Sequence, residues 1–405
     1  MSVAVGRRVA LWRVRRQMTQ QVFADRIGRS KSWVEKVERG VRTLDRFSLI
    51  RQVAEVLRVD PAELIGSDRP SEHGGAVDGV AVVRVALASY EVFTAVDSGP
   101  AVEQEVTRRV EHAWSTYQHG DYPRLLRMTP QLLDAARRLH ATRPGPGAEL
   151  LVRAYRIIAL VLVKVGEPEL AWLAADRALA VAGSDPVLAV AGSDPVLAGS
   201  AAVPLGQALR GLGQDRLAMT TTVAAADRLT ASSGGAASPQ VRAVYGTLLL
   251  QAGLAAAGCG ETRSVDELLG RAADVAGRIG DGLDYRTASF GPAAVELAHV
   301  VAAVESGDAR QAVRRHETAI RQQTWRGLPA EHRAAYLVDA ARAYLAVGDF
   351  AAAGRWLVEA DRVVPAEIRC RPSARTVVAE IARCGPDTAG VARLATALGL
   401  TTSVS

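Results

Sequence analysis

Asparagine is absent from the 405 residues, and lysine is scarce, with Lys31, Lys36 and Lys164 standing beside 46 arginines. With abundant Ala, Gly and Val, that bias points to a high-GC genome. Three cysteines (Cys259, Cys370, Cys384) have no metal-ligand spacing and cannot pair evenly, so neither a zinc site nor a disulfide framework is expected. The expected setting is therefore a reducing cytoplasm. No apolar run reaches the ~18 residues that a membrane helix needs. The N-terminus has no apolar stretch ahead of a small-residue cleavage site, so no signal peptide is expected. Catalytic patterns are missing too: there is no HExxH, no Walker loop and no GxSxG. His112 and His119 lie seven apart without a third ligand, so no metal and no cofactor is expected. Glu103 and Glu105 point apart on a helix, and Gly282 between Asp281 and Asp284 suggests a loop. No acid, base and nucleophile set emerges, and the chain is not expected to be an enzyme.

What is present is uneven. Residues 1–70 hold 15 Lys/Arg against 8 Asp/Glu, whereas the other 335 residues hold 34 against 35. The whole positive excess thus sits at one end, where a phosphate-binding surface would need it. The same end carries Thr19-Gln20-Gln21-Val22-Phe23-Ala24, then Gly28, then Ser30-Lys31-Ser32-Trp33-Val34 up to Gly40. Thr19 and Ser30 are N-cap residues, and Gly28 is a turn glycine. A helix, a glycine turn and a second helix with a polar start form the pattern that lays a recognition helix in the DNA major groove. A preceding helix from about Val5 to Arg16 offers Val9, Leu11, Trp12 and Val14 inward, with its arginines mostly outside. Val22, Phe23, Ala24 and Ile27 should form the buried side of the second helix. Leu49, Ile50, Val53, Ala54 and Leu57 predict a fourth helix, and Pro61 suits the start of a fifth.

These residues resemble the phage Cro/repressor-type helix-turn-helix family, often called XRE. Thr19-Gln20, Ala24, Gly28, Ser30, Val34, Glu38, Gly40 and Val59-Asp60-Pro61 with Leu64 carry the resemblance, which covers roughly residues 5–66. It implies that Gln20 contacts a phosphate, that Lys31, Ser32 and Lys36 face base edges, and that Arg46 reaches the DNA backbone. Trp33 either packs on a sugar-phosphate edge or completes the core. Glu38 is expected to hold an arginine within the domain. Residues 67–79 combine Gly, Pro and Ser without apolar period and are assigned to a linker.

The remainder, residues 80–400, predicts helices that repeat. Gly plus an acidic or polar residue recurs at Gly120-Asp121, Gly166-Glu167, Gly213-Gln214, Gly260-Glu261, Gly307-Asp308 and Gly348-Asp349, at intervals of 46, 47, 47, 47 and 41 residues. Each glycine should end one helix in a left-handed conformation and begin a hairpin. Ala171, Ala174, Ala175 and Ala178 are small residues at hairpin contacts, which resembles tetratricopeptide repeats. The fold class expected is all-α: a five-helix DNA-binding domain followed by an α-solenoid of about six hairpins, with a non-repeating bundle as the alternative. Val181–Ala189 is repeated word for word at Val190–Ala198, and one Ser-Asp-Pro copy should cap the next helix.

Arg153, Tyr155, Tyr245, Arg286, Phe290 and His299 are candidates for an effector groove on the repeats, against simple packing between helices. The layout resembles helix-turn-helix regulators with repeat-built sensor domains, some of which hold a short peptide with asparagine amides that this chain lacks. Ser289-Phe290-Gly291-Pro292 and Pro329-Ala330-Glu331-His332-Arg333 look similar to high-GC regulators of this layout. The expected partners are double-stranded DNA, a second copy of the chain, and a peptide, small-molecule or protein effector, with no membrane. The expected function is transcriptional regulation, with a DNA-tethered interaction scaffold as the alternative.

Overall fold

In the computed structural model, the described residues are 6, 9, 10, 12–14, 16, 18–39, 47–57, 59, 74–89, 102–184, 194–232, 238–279, 290–321, 323–384 and 389–400. They form two units, Met1–Ser71 and Glu72–Ser405. Among the described residues all regular structure is helical, and no helix is long and apolar enough to cross a membrane.

In the first unit, helix α1 (Gln20–Arg26) and helix α2 (Lys31–Glu38) are joined at Gly28, with α3 (Phe47–Leu57) following. Thr19 Oγ1 accepts from Val22 N and Ser30 Oγ from Trp33 N, each at 3.2 Å, so both expected caps are made. Gly28 has φ 65°, and Arg29 N reaches back to Ala24 O at 2.9 Å, closing α1 as a Schellman turn. Val9, Phe23, Ala24, Ile27, Val34, Val37, Val53, Ala54 and Leu57 are buried together. Two expected core residues are not. Val14 and Val22 are exposed, because the inward positions of their helices are already filled by Val9 and Phe23. The expected fifth helix after Pro61 lies outside the described residues.

The second unit opens with α4 (Gly74–Ala88), which takes in residues 74–79 that composition assigns to the linker. The reason is packing. Gly79 is buried, and a Cβ there would stand 2.8 Å from Leu126 Cβ, so the glycine admits a neighbouring helix and does not loosen the chain. Six hairpins follow: α5 (Glu103–Gln118) with α6 (Tyr122–Thr142), α7 (Pro144–Lys164) with α8 (Pro168–Ser184), and α9 (Pro195–Gly211) with α10 (Asp215–Ser232). Then come α11 (Pro239–Gly258) with α12 (Thr262–Ile279), α13 (Pro292–Glu305) with α14 (Ala309–Ala319), and α15 (Ala330–Ala346) with α16 (Phe350–Val363). Helices α17 (Pro365–Arg369), α18 (Pro372–Cys384) and α19 (Ala389–Ala397) complete the unit.

The Gly-plus-polar dipeptides explain the repeat. All six turn glycines have positive φ, and the residue after each donates to a carbonyl five residues back, as Asp121 N does to Thr116 O at 3.1 Å. Where that residue is aspartate, its side chain caps the returning helix: Asp121 accepts from Arg124 N, Asp308 from Gln311 N and Asp349 from Ala352 N. One dipeptide thus stops the first helix of a hairpin and starts the second. Ala171, Ala174, Ala175 and Ala178 are fully buried, as close helix approach requires. The second copy of the duplicated segment supplies Asp194, which accepts from Val196 N at 2.9 Å and caps α9.

The first helices of the hairpins pack on one another in sequence, α5 on α7, α7 on α9, α9 on α11, α11 on α13 and α13 on α15. Their shared face is the inside of the coil. The last repeat then folds back on the first two: α15 packs on α5, Val364 lies against Gly120, and Pro372 Cγ would be 2.5 Å from a Cβ on Gly166.

Candidate nucleic-acid interface and inner polar network

On the helix-turn-helix, Lys31, Ser32 and Lys36 are exposed, all on the solvent side of α2, while Val34 and Val37 turn inward. The buried face therefore fixes which residues α2 presents outward. Trp33, one of the expected DNA contacts, is 8% exposed and belongs to the core, with the Arg29 guanidinium carbon 5.8 Å from its ring centroid. Of its two expected places, the core is the one that it occupies here. Arg46 lies outside the described residues.

Glu38 behaves as expected. It pairs with Arg13, whose Nε is 2.6 Å from Oε1 and whose Nη2 is 3.0 Å from Oε2. Arg13, expected to face outward, is largely buried and also donates to Met18 O at 2.7 Å. Glu38 Oε2 accepts from Gln20 Nε2 at 2.7 Å as well. One carboxylate thus ties Arg13 to α2 and orients the amide at the start of α1.

The five described groove candidates do not converge on one site; Arg286 lies outside the described residues. Tyr155 is buried and accepts from Arg137 Nε and Nη2 at 3.1 and 3.0 Å. Phe290 is buried, its ring filling the space that Gly246 leaves without a side chain. Tyr245 Oη accepts from Arg271 at 2.7 Å, and Arg153 lies 3.8 Å from Glu149 across one helical turn. His299 is half-buried, and burial together with Arg315 lowers its pKa. Four of these residues take part in packing between helices or in local pairing, the alternative to a groove lining.

What the inner face carries instead is a chain of charges. Lys164 Nζ pairs with Glu331 and, at 2.8 Å, with Glu367 Oε1; the side chains are 14%, 4% and 0% exposed. Tyr117 donates to Glu331 at 3.2 Å, and Tyr122 donates to Glu367. Arg371 lies 3.5 Å from Glu367 and 3.6 Å from Asp339. Arg342 continues the chain to Asp339 at 3.4 Å and Glu305 at 2.8 Å. Burial by itself would lower the Lys164 pKa, but Glu331 and Glu367 hold it above its ordinary value. Burial by itself would raise Glu331, yet the Lys164 ammonium brings it below the usual carboxylate range. Both tyrosines are pushed well up, first by burial and then by the carboxylates they touch, so they act here as donors.

Sequence reasoning singled out Asp339 among the first-helix residues that could point inward but did not assemble this network, although two signals pointed to it. Lys164 is the one lysine outside the N-terminal unit, and Glu331 stands inside the Pro329–Arg333 segment. Among the described residues no cluster of His, Cys, Asp and Glu is arranged to hold a metal.

Residues 4–64 match the family model of a helix-turn-helix domain. The N-terminal unit is a helix-turn-helix domain. No curated protein matches the chain. Among solved structures, the chain is similar to aspartyl phosphate phosphatase F from Bacillus subtilis, at 12% identity and TM-score 0.43 over 90% of this chain and 94% of that one. It is similar to the apo form of the competence regulator ComR from Streptococcus vestibularis, at 12% identity and TM-score 0.32 over 87% and 99%. Bacillus thuringiensis PlcR, solved with the peptide PapR7 and DNA, aligns at 11% identity and TM-score 0.30 over 68% and 95%.

Proposed function

We propose that the protein is a sequence-specific DNA-binding transcriptional regulator whose repeat domain senses a ligand and mediates dimerisation. The observation that carries this reading is the exposure of Lys31, Ser32 and Lys36 on one side of a capped helix, within the helix-turn-helix domain that holds all the excess positive charge. Lysine donates to guanine O6 and N7, and serine bonds to several bases, so the three can read base edges. A primary amide has two N–H donors. Glu38 takes one from Gln20, and the second is directed to a phosphate at the N-terminus of α1, where the helix dipole favours negative charge.

One such domain contacts a single half-site, so a dimer is expected on a two-fold operator with half-sites about 34 Å apart or a multiple of it. A ligand acts on such a dimer only if it prefers one arrangement of the two domains. The test is genome-wide binding of the tagged protein, then a gel shift of the best site across a salt series. A palindromic motif with a discrete complex is expected. Uniform binding that vanishes with modest salt would mean that the basic domain supplies only non-specific affinity.

A further inference from the structure

The inner face of the repeat coil pairs most of its charges, and two of its buried polar groups without a partner stand on adjacent helices. The register of the hairpins defines that face. Lys164 and Glu305 stand two residues before their turn glycines, Tyr117 and Arg210 three before, and Asp339 and Gln251 nine before. Tyr117, Lys164, Glu305 and Asp339 are members of the network, so Arg210 and Gln251 occupy equivalent inward positions on α9 and α11. These two helices pack directly, and Gln251 Cβ lies 3.8 Å from where a Cβ on Gly206 would stand, one turn before Arg210 on α9.

Both side chains carry a buried polar atom without a partner. Arg210 Nε and Gln251 Oε1 are sealed from water and have no hydrogen-bond partner among the described residues. Arg210 also makes no ion pair there, unlike Lys164, Arg342 and Arg371. Of the carboxylates that act on it through space, Glu305, Asp215 and Asp339, the first and last are held by Arg342 and Arg371, and Asp215 makes no ion pair with it among the described residues. Burial accordingly lowers the pKa of the Arg210 guanidinium, which the distant carboxylates only partly offset. A desolvated cation and an unmet acceptor each cost stability in the empty protein. A ligand that brings an anion and a donor would satisfy both groups at once.

We infer that Arg210 and Gln251 anchor an oxyanion ligand inside the coil. Its carboxylate or phosphate pairs with the guanidinium, and a neighbouring donor of the ligand meets Gln251 Oε1. The inference rests on the reading that the repeat domain senses a ligand.

The experiment uses the full chain without DNA, so a negative result leaves the DNA-binding reading standing. Thermal unfolding is followed while inorganic phosphate or succinate replaces chloride at constant ionic strength. The expected result is a saturable rise of the midpoint with at least one anion, and which anion saturates distinguishes a phosphate from a carboxylate ligand. Arg210→Met should weaken that response at least tenfold while unfolding in chloride no lower than the wild type. Gln251→Leu should weaken hydrogen phosphate, which can donate, more than succinate, which cannot. An equal response in wild type and Arg210→Met would mean only general solute exclusion and would overturn the site. So would the absence of saturation with both anions, or an Arg210→Met variant clearly less stable in chloride.

Discussion

Replacing Lys164 with methionine keeps most of the apolar stem and removes the ammonium that two buried carboxylates share. Glu331 and Glu367 would then be left in a site where their side chains are 4% and 0% exposed. Removing one partner of a buried ion pair costs about 3–5 kcal/mol. The low end applies, because Arg371 still lies 3.5 Å from Glu367 and Tyr117 still donates to Glu331. With a urea dependence of about 3 kcal/mol per molar, the midpoint read by far-UV circular dichroism should fall by about 1 M at pH 7. The pH dependence is the sharper readout. In the wild type the lowered pKa of Glu331 stabilises the fold above the usual carboxylate range and is lost only as pH falls through that lowered value. In Lys164→Met the same carboxyl sits raised, so its penalty is full at high pH and relieved as pH falls through the raised value. The cost of the substitution should therefore be smaller at pH 5 than at pH 7 by at least ~1 kcal/mol. Adding Glu331→Gln should cost less than the sum of the two single changes. A loss below about 1 kcal/mol at both pH values, or a penalty that grows on acidification, would refute the idea that this pair closes the coil.

Lys36→Ala should lower affinity for the operator by about 1–3 kcal/mol and leave random DNA nearly unchanged, as read by competitive gel shift; an equal loss on both would make Lys36 a phosphate contact. Trp33→Ala should destabilise the helix-turn-helix domain by about 3–5 kcal/mol, seen in its urea midpoint, whereas a variant of unchanged stability and weakened DNA binding would return Trp33 to the interface. His316 is fully buried, and burial lowers its pKa to about 4 from 6.5. The unfolded chain takes up the proton first, so stability should fall by about 3 kcal/mol between pH 6.5 and pH 4. His316→Phe should show a correspondingly flatter pH profile.

The parts of the fold that were legible in the sequence obey local rules. Thr19 and Ser30 cap the next helix because a hydroxyl three residues ahead of an orphan N–H has one good bond to make. The Gly-plus-polar dipeptides set the hairpins because φ near +70° suits glycine, as at Gly120 with φ 73°. Glu38 was expected to hold an arginine within the domain, and it pairs with Arg13. Misreadings arose where a local rule met a tertiary contact. Gly74, Gly75 and Gly79 look like linker by composition, yet α4 needs the missing side chain at Gly79 to approach Leu126. For Phe290 the sequence leaves groove and packing both open, and only the space above Gly246, some 44 residues back in sequence, makes it core.

The inner network was the least legible part, because its members are far apart in sequence. Tyr117 meets Glu331 across 214 residues, and Lys164 meets Glu367 across 203. The repeat register puts several of these residues on one face but does not say which meet; the pairs arise only once six hairpins have stacked and the last has returned to the first. Closure also explains why the residues concerned are ionic. Between stacked neighbours, alanine and leucine supply non-directional burial, as at Ala171 and Ala175. Where the last repeat must find the first two in one register, directional bonds discriminate where apolar contacts cannot, because a shifted register would bury Glu331 or Glu367 without Lys164. On that argument, replacing Lys164, Glu331 and Glu367 together by Met, Gln and Gln should retain helix content and much of the stability. Amide hydrogen exchange in α5 and α15 should nevertheless rise by more than tenfold, while α11 and α12, remote from the closure, stay protected. Unchanged exchange in α5 and α15 would show that apolar packing alone sets the closed register.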